Sequence, residues 1–329
     1  MQRTRLSSKT LDFDPTKEVD RISEWMRNTL ANTLHKRGVV LGLSGGVDSS
    51  VCGALAVRAL GPGRVFGILM PEHDSSASSA DRGEIVARQL GIEFRLEHIG
   101  ETLRAIGCYR WRDEAILRLF PDYTPEWKLK IAIAGGAAGG VNFFKLVVQN
   151  PAGEIFEKRL PLKEYLQIVA STNNKQRIRK AVEYFHADRL NYAVIGTPNR
   201  LEYDQGFFVK NGDGSADLKP IAHLYKTQVY VLARHLGLPE EVCTAAPTTD
   251  TYSMAQGQDE FYFALPYDRM DIALWAHNHQ VPVAEVAEYL GLTEDQARFI
   301  YGDIEAKRRT THYLHASPVL VEPVGEINH

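Results

Sequence analysis

Residues 44–50 read Ser44-Gly45-Gly46-Val47-Asp48-Ser49-Ser50, and they follow an apolar run, "GVVLGL", that begins at Gly38. Two adjacent glycines let a chain turn sharply and bring backbone N–H groups close to a ligand. The start of the following helix adds positive potential. Together these features make an anion site. Gly42 leads into it, and Ser44, Ser49 and Ser50 supply hydroxyl donors. Asp48 would repel a bare phosphate, so its place here makes sense if a divalent cation lies between it and the phosphates. The loop lacks the Gly-Lys-Ser/Thr ending of the nucleoside triphosphatase motif and the three spaced glycines of the dinucleotide fingerprint.

Such a loop has to be held between a strand and a helix. "GVVLGLS" has no polar alternation, which marks a strand buried on both faces, as in parallel sheets. "VDSSVCGALAVRALG" follows as a helix, then the strand "RVFGILMP", the helix "SSADRGEIVARQLG" and the strand "IEFRLEHIG". A later strand, "NYAVIGT", ends at Thr197. Strands alternating with helices predict a doubly wound α/β domain with a parallel sheet. In such sheets ligands bind beyond the carboxyl ends of the strands, where this loop falls. A helix is predicted over residues 14–37, capped by Asp14, with Pro15 at its first position and Gly38 as its stop. Between residues 100 and 173 the pattern breaks. "AIAGGAAGG" is small and flexible, and "NFFKLVVQNPAGEIFEKRLPL" predicts a hairpin around residues 150–153. Residues 109–161 are read as an insertion that covers or reshapes the substrate pocket, and residues 266–315 as a helical C-terminal cover, all within one domain.

The loop resembles the pyrophosphatase loop of enzymes that split ATP between its α and β phosphates. The segment "VIGTPNRLEYDQGFFVKNGDGSADLKPIAHLYKTQVYVLARHLGLP", residues 194–239, resembles NAD synthetases, as do Asn173-x-Lys175-x-Arg177-x-Arg179 and "APTTD" with Thr248 and Asp250. The resemblance implies an adenine-nucleotide α-hydrolase-like fold. It also implies amidation of deamido-NAD by ammonia through an acyl-adenylate, releasing AMP and pyrophosphate. By this resemblance Gly42, Ser44, Gly45, Gly46, Asp48, Ser49, Thr197, Lys226 and Thr248 would contact ATP. Asp48 and Glu202 would ligate Mg2+, and with Lys226 would form the catalytic group. Asn173, Arg177, Lys210, Asp213, Asp217 and Lys307 would hold deamido-NAD. The family also implies a homodimer. Ala306 stands where the family usually has a histidine, and the insertion is unusual, so a different carboxylate substrate is the alternative reading. A nucleotide sensor without catalysis is disfavoured, because it would need no leaving-group clamp.

The chemistry agrees with these roles. A carboxylate is not attacked directly by ammonia, whereas an acyl-adenylate carries a good leaving group. Positioning and charge stabilisation then do the work, and no protein nucleophile is required. Only about 40 residues precede the loop, too few for the amidase domain of glutamine-using synthetases. The nitrogen source is therefore expected to be free ammonia, or ammonia from a glutaminase on another chain. The formal net charge is −3, with no long run of one sign, so nucleic acid and anionic membranes are not expected partners. "VAEVAEYLGLTEDQARFIYGDIEAKRR" has the look of a helix-turn-helix, but Glu294 and Asp295 would face phosphates, and a helical cover is the better reading. The His312/His315 and His277/His279 pairs lack evident acid or cysteine partners and are read as surface pairs rather than metal sites. Three dispersed cysteines fit reduced, buried thiols, and no signal peptide or apolar span is evident, so a cytoplasmic location is expected.

Overall fold

The computed structural model describes residues 6–75, 77–134, 143–246, 252–254, 257, 262 and 265–325. The chain opens with α1 (Pro15–Asn28), whose cap is Asp14: its carboxylate accepts from the Thr16 and Lys17 N–H groups, each at 3.1 Å. The helix widens into a π-helical turn over Thr29–Leu34. His35 then takes a left-handed conformation and stops it, three residues earlier than Gly38 was expected to.

Next come β1 (Val39–Gly42), α2 (Val47–Leu60), β2 (Val65–Leu69), α3 (Ala77–Gln89) and β3 (Glu93–Leu96). Two helices, α4 (Gly100–Ala105) and α5 (Cys108–Leu117), lead into an antiparallel sheet of β4 (Lys128–Ala134), β5 (Phe143–Gln149) and β6 (Ile155–Arg159). The 29-residue α6 (Leu162–Leu190), about 43 Å long at helical rise, returns the chain to the main sheet at β7 (Ala193–Val194). The short α7 (Arg200–Gln205) follows, then α8 (Lys226–His235), α9 (Glu240–Cys243), α10 (Tyr267–Asn278), α11 (Val283–Leu290) and α12 (Glu294–His315).

The main sheet is parallel in the order β3-β2-β1-β7. The unbroken apolar character of β1 has a simple cause. Val39 and Leu41 enter a core shared with α1, α2 and α8, while Val40 faces a second core shared with α4 and α6. Helices thus cover both faces, and β1 opens into the phosphate-type loop at its carboxyl end.

The insertion differs from the expected two-stranded hairpin: it is a three-stranded sheet in the order β4-β5-β6. The extra strand, "KLKIAIA", adjoins the glycine–alanine stretch. Its alternation buries Leu129 and Ile131 against α5, α6 and Tyr252. The predicted turn at residues 150–153 joins β5 to β6. The glycine-rich residues 135–140 lie outside the described residues. Between Tyr267 and His315 the chain forms the three helices α10, α11 and α12, and α12 packs on α7 and α10. All three cysteines are free and buried. Among the described residues no helix is long and apolar enough to cross a membrane.

Candidate active site

The loop after β1 folds as its composition requires. Gly45 has φ +74°, and a Cβ there would lie 2.3 Å from the Ser79 carbonyl oxygen of α3. Gly46 caps α2 with extended backbone. The serines brace the turn: Ser44 Oγ accepts from Gly46 N (3.3 Å) and lies 3.2 Å from Ser49 Oγ. Ser49 and Ser50 donate to the Gly46 carbonyl at 3.1 and 2.8 Å. Arg82 of α3 holds the outer side by donating to the Gly45 carbonyl at 3.2 Å.

Asp48, in the first turn of α2, meets residues distant in sequence. Its Oδ1 accepts from Asn199 Nδ2 at 3.1 Å, and its Oδ2 pairs with Lys226 Nζ. Asn199 caps α7, with Glu202 reaching back to the Asn199 N–H at 3.1 Å in a capping box. Lys226 opens α8 and is almost wholly buried. Burial opposes its charge, but the Asp48 and Glu202 carboxylates outweigh this and hold its pKa well above the ordinary lysine value. Asp271 of α10 accepts from the Lys226 and Thr227 N–H groups at 3.2 and 2.7 Å and so caps α8 from outside. Burial pushes its own carboxyl up to about 7.

These groups open into a cavity of about 770 Å³, in the range of ordinary ligand sites. It brings together Gly42, Ser44, Gly46, Asp48, Ser49, Thr197, Glu202 and Lys226 with Asn173, Arg177, Lys210, Asp213 and Lys307. Among the described lining residues, eight lysines and arginines face five acids, an excess that suits polyanionic ligands. None of the three cysteines lines it.

The nominated residues differ in what holds them. Asp213 closes a turn, accepting from Val209 N at 2.7 Å, and burial raises its pKa. It therefore satisfies the local turn and faces the cavity. Arg177 donates to the Lys210 carbonyl at 3.3 Å. Lys210 donates to the Tyr313 and Ala316 carbonyls at 2.6 and 3.1 Å, at the end of α12. Lys307 pairs with Asp303 at 2.6 Å, and burial lowers its pKa. Three nominations fall elsewhere. Gly45 shapes the loop without lining the cavity. Asp217 also lies off the lining, its carboxylate accepting from Val194 N (2.7 Å) and Tyr184 Oη (3.3 Å). Thr248 lies outside the described residues.

Sequence reasoning missed Arg82, Lys180 and Glu183 on the cavity wall, and Asp271 behind it. Lys180 and Glu183 form a buried pair at 2.6 Å on α6. Arg177, Lys180 and Glu183 recur at i, i+3 on one helical face, and that spacing was the available signal. Lys175 is instead drawn into buried ion pairs with Glu72 (2.9 Å) and Asp74 (2.5 Å), and Arg112 joins Asp74 at 2.7 Å. The insertion reaches the same cavity through Ile133, Phe143 and Phe144. Among the described residues no group of three or more histidine, cysteine, aspartate or glutamate side chains is placed to hold a metal ion.

The chain is similar to known proteins over nearly its whole length. The NAD synthase family model matches residues 18–117 and 140–313. An NH(3)-dependent NAD(+) synthetase of Rhizobium meliloti is 56% identical over 326 residues, covering 99% of this chain and 97% of its own length. That of Mesorhizobium japonicum is 56% identical over 317 residues, covering 96% and 99%. Among solved structures, an NH3-dependent NAD synthetase from Campylobacter jejuni superposes with TM-score 0.61 at 21% identity, over 94% of this chain and all of that one. An NMN synthetase from Francisella tularensis gives 0.62 at 21% identity, over 94% and 99%. These two structures share the fold. With the family model matched on both sides of residues 118–139, and near-full-length relatives more than half identical, the chain belongs to the NAD synthase family.

Proposed function

We propose that the chain is an ammonia-dependent ligase that makes NAD from deamido-NAD, with ATP as the activating substrate. The reading is carried by one observation: the phosphate-type loop, the Asp48–Lys226 pair, Glu202 and the cations of α6 open into a single cavity. Its supports outside the site are the near-full-length relatives that bear this activity in their names.

In the first step an oxygen of the substrate carboxylate attacks the α-phosphorus of ATP. The bond to the bridging oxygen breaks and pyrophosphate departs. The loop N–H groups and the start of α2 face the charge that grows on the leaving group, and Lys226 offsets it. In the second step ammonia attacks the acyl carbon, AMP leaves with the bonding pair, and the nitrogen gives up a proton. The residues do this by placement and charge, without a covalent enzyme intermediate.

Asp48 and Glu202 are two hard carboxylates on the cavity wall beside the loop, a donor set that suits Mg2+. That ion commonly takes one or two protein carboxylates and completes its shell with water and phosphate oxygens. They would hold it, and bound there it would neutralise triphosphate charge. Asn173, Arg177, Lys210, Asp213 and Lys307 serve the dinucleotide. Asp217 acts by fixing the edge of β7. The chain works as a homodimer in the cytoplasm, with ammonia taken from solution or from a separate glutaminase. Leu162, Leu166 and Phe185 of α6, 71%, 55% and 62% exposed, support pairing of two copies.

The test is direct. Purified chain supplied with ATP, Mg2+, ammonium and deamido-NAD should yield NAD, AMP and pyrophosphate in equal amounts, and glutamine should not replace ammonium. Release of ADP and phosphate, or inert deamido-NAD, would overturn the assignment.

A further inference from the structure

The loop that leaves β2 is tied to α5 and α6 by a buried set of charges with no part in the chemistry described above. Lys175 of α6 is 2% exposed and holds its ammonium 2.9 Å from Glu72 Oε1 and 2.5 Å from Asp74 Oδ2. Arg112 of α5, also buried, donates to the same Asp74 oxygen at 2.7 Å and to Asp113 Oδ1 at 2.8 Å. Tyr109 of α5 donates to Glu72 Oε2 at 2.8 Å, and the Arg112 guanidinium lies over its ring, 5.4 Å from the centroid. The Asp74 N–H donates to that same Glu72 oxygen at 3.1 Å. Three carboxylates thus share two cations in a setting largely closed to water, and each cation offsets acids that would be costly to bury alone.

Arg179, one helical turn beyond Lys175, holds the two ends of the loop. It donates to the Met70 carbonyl at 3.3 Å and to Ser75 Oγ at 3.4 Å, and Ser75 Oγ also accepts from the Glu72 N–H at 3.2 Å. Lys175 and Arg179 share a face of α6 at i, i+4. Arg177 is turned about 200° from Lys175 on a helix of this pitch, and it reaches the Lys210 carbonyl instead. One face of α6 therefore serves the loop, while Arg177 serves the opposite wall. Met70, Pro71 and Ser75 line the cavity. Because β1 and β2 are parallel neighbours, this loop and the phosphate-type loop leave the same end of the sheet, and a Cβ at Gly42 would lie 3.2 Å from Met70 Cε. Among the described residues, Glu72, Asp74 and Arg112 stand behind this wall and do not line the cavity.

We propose that Arg112 and Lys175 are positioning residues for ATP: they neutralise Glu72 and Asp74 and so clamp the 70–75 loop against α5 and α6. This rests on the reading of the chain as an ATP-using ligase. His73, between the two acids, is exposed, so the loop already borders water. When one cation is lost, the uncompensated acids have a short path to solvent, and the loop opens before the domain unfolds. Opening carries Met70 and Ser75 away from the phosphate-type loop and leaves the Arg177 side in place. Residues 109–161, expected to act on the substrate pocket, thereby act on the ATP side as well, through Arg112.

The experiment measures kcat and the KM values for ATP and deamido-NAD, with Mg2+ and ammonium. It compares the intact chain with Arg112→Met, Tyr109→Phe and the double variant Arg112→Met/Asp74→Asn. Arg112→Met keeps the length of the side chain and removes its charge, and Asp74→Asn then restores the charge balance of the cluster. The KM for ATP should rise about tenfold in Arg112→Met, while kcat and the KM for deamido-NAD change by less than about threefold. The double variant should return the KM for ATP to within about threefold of the intact value. Tyr109→Phe loses one hydroxyl and keeps the ring; it should raise that KM about threefold, and it decides the question if Arg112→Met fails to fold. An unchanged KM for ATP in Arg112→Met, or in Tyr109→Phe in its place, overturns the inference and leaves the ligase reading standing. Equal rises in both KM values also overturn it, by making the cluster a general support of α6. A double variant no better than the single one assigns the effect to packing and overturns it as well. An intact chain that does not consume ATP in the presence of deamido-NAD overturns both readings.

Discussion

At the scale of single residues the site depends on a few charges held close together in a buried setting. Asp48→Asn and Glu202→Gln should each lower turnover by about a thousandfold, the loss of a charge clamp worth several kcal/mol of transition-state stabilisation. Circular dichroism should report an intact fold, because Asn and Gln keep the shapes that the Asn199 contact and the capping box require. Near-normal activity in either variant would remove that residue from the metal-binding role. Asp271 offers a different measurement. Its carboxyl titrates near 7 when folded and in the usual carboxylate range, about 4, when unfolded. Between these values the folded chain holds a proton that the unfolded chain has released. Its contribution to stability is therefore full below about pH 4 and lost as pH rises through about 7. Asp271→Asn, which does not titrate, should flatten the decline in urea midpoint between pH 4 and 7. An equally steep decline in the variant would assign the slope to other groups.

At the scale of elements, the turns and helix ends decide where the charged residues go. Gly206 ends α7 with φ +71°, and a Cβ there would lie 2.3 Å from Thr311 Cβ on α12. Gly206→Ala must push α12 away, at a cost of about 1–3 kcal/mol. Lys307 and Tyr313 ride on α12 and line the cavity, so the KM for deamido-NAD should rise along with the loss of thermal stability. Thr311→Gly in the same background should restore part of both, because it removes the obstructing Cβ. This scale also separates what a sequence shows from what it hides. The loop at residues 44–50 was legible because its turn, cap and hydroxyl donors are all local. So were β1, read from its unbroken apolar run, and the Asp14 cap of α1. Asp271 was not legible: it lies 45 residues from the Lys226 N–H that it accepts from, and only the packing of α10 on α8 brings them together. Strand β4 was hidden by its neighbour, since "KLKIAIA" runs into a glycine–alanine stretch that reads as coil. The early stop of α1 at His35 was hidden for another reason, as a left-handed histidine carries no strong sequence mark.

At the scale of the whole molecule, a chain of net charge −3 gathers eight basic side chains around one cavity among its described residues. Binding of both nucleotides should accordingly weaken with ionic strength. The proposed homodimer predicts a sedimenting species of twice the chain mass at micromolar concentration, and a monomer there would remove the dimer from the account. The central claim is that the carboxylate is activated as an acyl-adenylate. It is tested most directly with deamido-NAD labelled with oxygen-18 in its carboxylate and turned over with ATP, Mg2+ and ammonium. One labelled oxygen should appear in the phosphate of AMP, carried there when the carboxylate attacks the α-phosphorus and left there when ammonia displaces AMP. Label in inorganic phosphate alongside ADP would contradict the account.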